Sequence, residues 1–477
     1  MTHEGTPEHA PLSRHDLPMS DAGTSRGLGL RRLSGNAGRT FIAQILAALL
    51  GVGISLLLSR TLGKAGVGVY AMALLLPNML VQLLEFGITY ANVYHIGRGD
   101  VNAREVMRAN LRIWGFISAV GLGIAGLVIA LRGAQWFPGI PTPLLIISAL
   151  AFPPALMQLY CLSILQGHQD FKRFNYLTVT VQMTTFTLSA ISVLIFHLGV
   201  AACITAYLIG QVLALTITSF VLRPYLARSP ESEVHQSWWA YGRKAVNYGW
   251  KQHLSAVISF VNLRVDLFFV NLFLAPASAG IYYVAIQFGE SMWIISKVVS
   301  TVLLPRLAEL HDQEQTRLQL TPLITRLVFN FTALAALVVA VLIKPVVTLL
   351  WGKDFSQVAN VLWWLLPGIV MWSATRIIAY DFAARGRPEL NSYLAGIVLV
   401  INVALNVILI PRVGIIGGAI STTVAYTANT FATIYLYRQF SDLASWKLLV
   451  LQREDVRLLA EAGRVALAKF RRKGELG

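Results

Sequence analysis

Charge is scarce in this chain. Only 13% of its 477 residues are Asp, Glu, Lys or Arg, against roughly 25% in an ordinary soluble domain. So few charges exclude a water-soluble globule. Hydrophobic residues reach 56% and the mean hydropathy is +0.62, so the polypeptide belongs in a membrane. Acidic residues are the scarcer sign, 23 against 39 Lys and Arg, for a net charge of +16. That excess does not indicate a nucleic-acid partner, because the basic residues flank apolar runs, where they set topology. Cysteine is nearly absent. Cys161 and Cys203 both lie in apolar runs, which excludes a disulfide framework and a zinc site. There is no Gly-rich phosphate loop with a Lys, no H-E-x-x-H and no nucleophile elbow. These absences argue against an enzyme, a bound cofactor and an ATP-driven pump.

Long apolar runs are abundant. A helix crossing about 30 Å of hydrocarbon needs roughly 20 apolar residues. Twelve runs qualify: 41–62, 67–95, 110–131, 142–166, 174–197, 200–222, 246–274, 279–305, 323–350, 357–383, 390–410 and 414–438, numbered here as spans 1 to 12. Residues 1–38 have no sustained apolar period and no cleavable signal, and read as a disordered cytoplasmic tail. Residues 39–223 form an N-lobe of six spans, 224–245 a cytoplasmic linker and 246–440 a C-lobe of six more. Residues 441–477 read as a basic amphipathic helix on the inner leaflet, or alternatively a solvated one. The tails and the loops on their side hold 29 Lys and Arg, the opposite loops 6. The positive-inside rule then places both termini in the cytoplasm.

The two halves repeat. "GVYAMA" (Gly68–Ala73) opens span 2 and "GIYYVA" (Gly280–Ala285) opens span 8, 212 residues later. "GVAACITAY" (Gly199–Tyr207) and "GGAISTTVAY" (Gly417–Tyr426) open spans 6 and 12. Six spans per half make the repeats parallel, related by an axis along the membrane normal, with sites expected near the midplane between them. The fold expected is all-α: twelve transmembrane helices in two six-helix lobes around a central cavity.

Polar residues inside spans are costly, ~2.5 kcal/mol or more for a charge at the bilayer centre, so they mark candidate sites. Span 2 carries Asn78, Gln82, Glu85 and Thr89 on one face. In span 7, Asn262 and Asp266 share a face, while Arg264 lies roughly 160° from each. Arg264 is then free to line a cavity while Asp266 faces its own half, or both serve structural ion pairs. Glu290 and Lys297 share a face of span 8, and the repeat offset sets Lys297 opposite Glu85, suggesting a buried ion pair that closes one end of the cavity. Span 10 adds Arg376 and Asp381, which do not share a face. Asp266, Asn402, Asn406 and Thr422 are hard oxygen ligands suited to Na⁺, with H⁺ as the other candidate ion. Their alternative role is interhelical glue. His95, His168, His197 and His253 sit at span ends without partners at ligand spacing, as interfacial residues do.

Several stretches carry a family resemblance: "RTLGKAGVGVYAMA", "NLRVDLFFVNLFLAPASAGIYYVAIQFGE", "LLPRLAEL" and "GRPELNSYLAGIVLVINVALNVILIPRVGIIGGAISTTVAY". With the twelve-span plan they resemble the polysaccharide-type (Wzx-like) flippases of the multidrug/oligosaccharidyl-lipid/polysaccharide exporter superfamily, over about residues 30–440. The resemblance implies a V-shaped monomer of the bacterial cytoplasmic membrane. By alternating access it would move an undecaprenyl-pyrophosphate-linked oligosaccharide outward, alongside a polymerase or glycosyltransferases. Cavity arginines would hold the pyrophosphate, since a guanidinium matches phosphate oxygens bidentately. Arg264 fits by position, with Arg60, Lys297 and Arg376 as secondary candidates and Asn78, Gln82, Glu85 and Glu290 as further cavity residues. In related lipid II flippases a sodium site lies between the spans matching 7, 11 and 12, where Asp266, Asn262, Asn402, Asn406 and Thr422 stand here. Asn406 replaces a position that can be acidic there, which leaves H⁺ coupling, or none, open. Two other functions compete: a cation-coupled multidrug exporter using Glu85 and Asp381, and a non-transport scaffold for a polymerase or glycosyltransferase.

Overall fold

Hydrocarbon offers backbone amides no hydrogen-bond partner, so a spanning chain must satisfy them internally, and helices do so. The computed structural model describes residues 22–228, 237–309, 314–387, 389–441, 445–453 and 455, with backbone alone at 22–37, 39, 295, 297–309 and 445. Among these residues there is no strand. The expected tail up to residue 21 and the basic segment beyond 455 lie outside the described residues.

Twelve spans are present. Spans 1 and 2 share one helix, Ala22–Leu84, turned at Gly63, whose φ of 67° favours glycine. The backbone is thus helical from Ala22, inside the segment expected to lack structure. Span 2 is not the uninterrupted run that its apolar sequence suggested. It breaks at Glu85–Gly87, where Phe86 and Gly87 have φ of 52° and 77°, and resumes as Ile88–Arg98. Span 3 is Ala103–Trp136. Span 4 has two pieces, Thr142–Ala149 and Phe152–Gly167, interrupted just before Pro153 and Pro154, which lack N–H donors. Span 5, Phe171–Ala190, ends in a π turn, Ile191–Ile195. Spans 6 to 8 are Val200–Arg228, Trp238–Phe273 and Pro276–Glu309. Spans 9 to 12 are Glu314–Leu350, Gln357–Ala384, Glu389–Val413 and Ile415–Tyr437. The linker expected over 224–245 is helical at both ends, because spans 6 and 7 outrun the hydrocarbon.

The lobes meet along spans 2 and 8. A Cβ on Gly68 would stand 1.7 Å from the carbonyl oxygen of Pro276 and 3.0 Å from the amide nitrogen of Gly280. A Cβ on Gly280 would stand 2.1 Å from the carbonyl oxygen of Lys64 and 2.9 Å from the nitrogen of Gly68. Gly68 with Gly280, and Lys64 with Pro276, are the pairs that the 212-residue offset relates, so the repeat axis passes through this contact. Between helices in lipid no hydrophobic force acts, and small residues are what allow so close an approach.

We call the side where both tails emerge the tail side and the other the far side. On the tail side the C-terminal segment folds back on the C-lobe. Leu448 is buried against Phe382 and Tyr437, and Arg326 of span 9 holds Asp455 through two bonds of 2.6 and 2.8 Å.

Gly68→Val would overpack the seam, a class of change that costs about 1–3 kcal/mol. We expect it to lower the melting temperature of the purified protein by several degrees. Gly115→Ala, with nothing within 4 Å of its Cβ, should not.

Candidate functional site

Span 7 presents two polar centres on different sides. On one side lies a cavity of about 500 Å³ within the C-lobe, lined by spans 7, 8, 10, 11 and 12 and including Arg264, Glu290, Trp293, Arg376 and Tyr426. Arg264 grips Glu290 through two parallel bonds, Nη1 to Oε1 at 2.6 Å and Nη2 to Oε2 at 3.4 Å. That pair is electrically neutral. Arg376 lies over the Trp293 ring, 5.9 Å from its centroid, against an aromatic wall of Trp372 and Tyr426 whose centroids are 4.5 Å apart. Arg376 hydrogen-bonds the Tyr380 side chain, but among the described residues it has no carboxylate partner, and its buried Nη1 has no hydrogen bond. An unpaired buried charge is destabilising by several kcal/mol, so this guanidinium calls for an anion.

On the other side Asp266 is buried among spans 8, 11 and 12. Its Oδ1 accepts from the side-chain amides of Asn402 and Asn406, each at 2.8 Å. Its Oδ2 accepts from Thr422 Oγ1 and, at 3.3 Å, from the Tyr282 hydroxyl. Asn406 also donates to Asn402 Oδ1 at 3.1 Å, and its own Oδ1 is buried without a partner. The set is one carboxylate, two amides and two hydroxyls, with an orphaned oxygen among them. These are the hard ligands of a small cation, so the residues fit one.

The lobes also touch at both ends. On the tail side, Glu85 accepts from the amides of Gly87 and Thr89 at 3.0 and 2.7 Å and from the Thr89 hydroxyl, which caps the resumed half of span 2. His253 Nδ1 of span 7 lies 3.3 Å from Glu85 Oε2. A Cβ on Gly87 would stand 2.5 Å from the Gly249 carbonyl, so the break in span 2 lets backbone meet backbone. The Tyr241 hydroxyl donates to Asn92 at 2.7 Å, and the rings of Tyr94 and Tyr248 stack at 4.2 Å. On the far side, Arg60 donates to the carbonyls of Leu350, at 2.6 Å, and Leu349. Trp351 donates to Ser55 at 3.3 Å.

Several expected roles are revised by this geometry. Arg60 satisfies the last carbonyls of span 9 and clasps the far side, away from the cavity. Glu85 is engaged by His253 and by its own helix break; the side chain of Lys297, its expected partner, lies outside the described residues. Asn78 is exposed and donates to Leu74 of its own helix, and neither it nor the half-buried Gln82 lines the cavity. Asn262 lines the cavity and donates to the Ala395 carbonyl at 3.0 Å, apart from the Asp266 cluster. His253 and His95 are buried partners of Glu85 and Asp100 rather than free interfacial residues. Asp381 is spent on Arg385, at 2.6 Å, and Thr321, at 3.2 Å. Sequence reasoning missed the pairing of His253 with Glu85, Tyr282 and the aromatic wall. Only Tyr282 had left a trace, in the repeated "GIYYVA".

A model of the polysaccharide biosynthesis protein family matches residues 57–360. The chain belongs to that family. Its similarity extends to two proteins of Haloferax volcanii. One, described as a probable low-salt glycan biosynthesis flippase, Agl15, is 23% identical over 208 residues, 42% of this chain and 43% of that one. The other, the probable flippase AglR, is 26% identical over 196 residues, 39% of this chain and 40% of that one. The match thus spans about two-fifths of each relative's length. The fold matches that of the lipid II flippase MurJ in an inward closed conformation, with a TM-score of 0.70 at 16% identity over 84% of this chain and 87% of MurJ. The likeness is one of fold: the helices of this family member are arranged as in that structure.

The tail-side contact yields a test. Losing a hydrogen bond to a charged group is worth about 1.5–3 kcal/mol, and 1.4 kcal/mol is a factor of ten. With Cys161 and Cys203 changed to Ser and a cysteine placed at cavity residue Thr375, Glu85→Ala should raise the maleimide labelling rate about tenfold. Equal rates would show that Glu85 does not hold the tail side shut.

Proposed function

We propose that the chain is a flippase for a lipid-linked glycan and that the C-lobe cavity receives the phosphate end of the carrier. The observation that carries this reading is Arg376, a guanidinium in the cavity with no carboxylate to neutralise it. Arg264 stands beside it as a second cation whose present partner, Glu290, an incoming phosphate would displace or share. The finer substrate reading is an undecaprenyl-pyrophosphate-linked oligosaccharide. A pyrophosphate offers oxygens for two bidentate arginines at once, and the aromatic wall suits stacking against a sugar or packing against the first prenyl units. The two closed ends serve as alternating gates: the tail side opens to load when the Glu85–His253 contact parts, and the far side opens to release when Arg60 leaves span 9.

In this reading the tail side is cytoplasmic, as the distribution of Lys and Arg supports, and the chain acts as a monomer in the cytoplasmic membrane beside the enzymes that build and polymerise the glycan. The Asp266 cluster would take Na⁺ or H⁺. Turning over the Asn402 and Asn406 amides would present their oxygens beside the carboxylate and Thr422. Coupling follows from span 7, which carries both Asp266 and Arg264, so a cation on one side bears on the cavity on the other. Export of organic cations draws less support. Glu290, Glu85 and Asp381 are all engaged by Arg264, His253 and Arg385, leaving the cavity cationic.

Two variants test the reading. Arg376→Ala should abolish glycan export while the protein still reaches the membrane; wild-type export would remove Arg376 from the site. Asp266→Asn should abolish any dependence of export on Na⁺ or pH with little change in thermal stability. An unaltered dependence would leave Asp266 a structural residue.

A further inference from the structure

A second basic cavity lies apart from the C-lobe cavity, beside the tail-side contact of Tyr241 with Asn92. Span 3 opens with a capping box: Glu105 N donates to Asn102 Oδ1 at 2.9 Å and Asn102 N donates to Glu105 Oε2 at 3.3 Å. The cap engages the Glu105 carboxylate. From there Arg104, Arg108 and Arg112 follow at intervals of four, a single stripe along the helix. Arg104 is tied to the end of span 6 through the carbonyls of Leu226 and Ala227, at 3.1 and 3.5 Å. Arg108 and Arg112 are exposed, and among the described residues neither has a hydrogen-bond or ion-pair partner. They face a cavity of about 670 Å³ whose opposite wall is the start of span 7, with Ser237, Trp238 and Tyr241.

The depth of this cavity can be read from its surroundings. The 34 residues of span 3 make about 51 Å of helix at 1.5 Å per residue, well beyond about 30 Å of hydrocarbon. Its apolar run begins only at residue 110, so its first turns stand at or above the headgroups. Exposed Trp239 stands beside this cavity at the start of span 7, an aromatic residue of the kind enriched at a membrane–water interface. Two guanidinium groups without a partner among the described residues, with Ser237 and Trp238 across the cavity and the capped Glu105 carboxylate at its edge, offer the charge and the donor types that a phosphate takes.

We infer that Arg108, Arg112, Ser237 and Trp238 form a phosphate-binding site at the tail-side interface, distinct from the C-lobe cavity, and that its ligand is a phosphate-bearing lipid headgroup. The inference is independent of the proposed function. Because one wall belongs to the N-lobe and the other to the start of span 7, a bound headgroup favours the state in which these two helix ends stand together.

The test uses the full chain in phosphatidylcholine nanodiscs, titrated calorimetrically with dihexanoyl phosphatidic acid and, separately, with inorganic pyrophosphate. Phosphatidic acid should bind the wild type and an Arg132→Gln control alike. It should bind the Arg108→Gln/Arg112→Gln variant roughly 30-fold more weakly, the effect of two near-surface guanidinium groups. Both positions are exposed, so the double variant should melt as the wild type does. Pyrophosphate binding with the same dependence on Arg108 and Arg112 would reassign the site to free phosphates and overturn the lipid assignment. Its failure to bind would support the lipid assignment. Equal phosphatidic acid affinity in the wild type and the double variant would overturn the site altogether.

Discussion

The contact between Gly68 and Gly280 is the constraint from which the arrangement of the lobes follows. Two helices in lipid gain nothing from hiding apolar surface against each other. They come this close only because neither carries a Cβ at the crossing. The seam uses backbone, so it cannot stretch gradually as a pair of long side chains can. It is placed toward the far side, and the tail-side contacts lie at the other end of the same lobe boundary. These contacts combine one close backbone approach, Gly87 against Gly249, with side-chain bonds and ring stacking, each worth about 1 kcal/mol or a little more. A rigid joint with a weaker clasp beyond it is the layout of a hinge.

Span 7 connects that hinge to the chemistry. Its lower half carries Gly249 and His253, which meet the broken span 2, and its upper half carries Arg264 and Asp266. Helix geometry keeps the last two apart in angle while fixing them on one rigid rod. Each is answered differently: Asp266 by four donors from its own lobe, Arg264 by one carboxylate at the cavity wall. Arg376, on span 10, has no carboxylate partner among the described residues. The site is thus asymmetric between the repeats even though the seam is nearly symmetric.

Much of this could be read in the chain. The matched hexapeptides around Gly68 and Gly280 revealed the repeat because a close crossing demands glycine whatever its neighbours are. The angular separation of Arg264 from Asp266 was legible because it depends only on residues of one helix. What crosses between helices was not. Glu290 shares a face with Lys297 in its own span, and spacing cannot say that its charge is met by Arg264. The break in span 2 was hidden for a related reason. "LEFGITY" is apolar enough to continue a membrane helix, and the interruption is stabilised by His253 and Gly249, more than 160 positions away. Arg376 ranked low because its importance lies in having no carboxylate partner among the described residues, which only the assembled cavity reveals.

The unanswered charge has an electrical consequence. Arg264 and Glu290 cancel, so the empty cavity carries one net positive charge from Arg376. In the proposed reading a pyrophosphate diester would bring two negative charges, and loading would reverse the sign. Charge crossing the membrane potential is worth about 2.3 kcal/mol per elementary charge per 100 mV. Across a membrane that is negative inside, a loaded anionic cavity is driven outward and an empty cationic one is drawn back. One arginine without its carboxylate would let the resting voltage act in the productive direction on both strokes of a cycle.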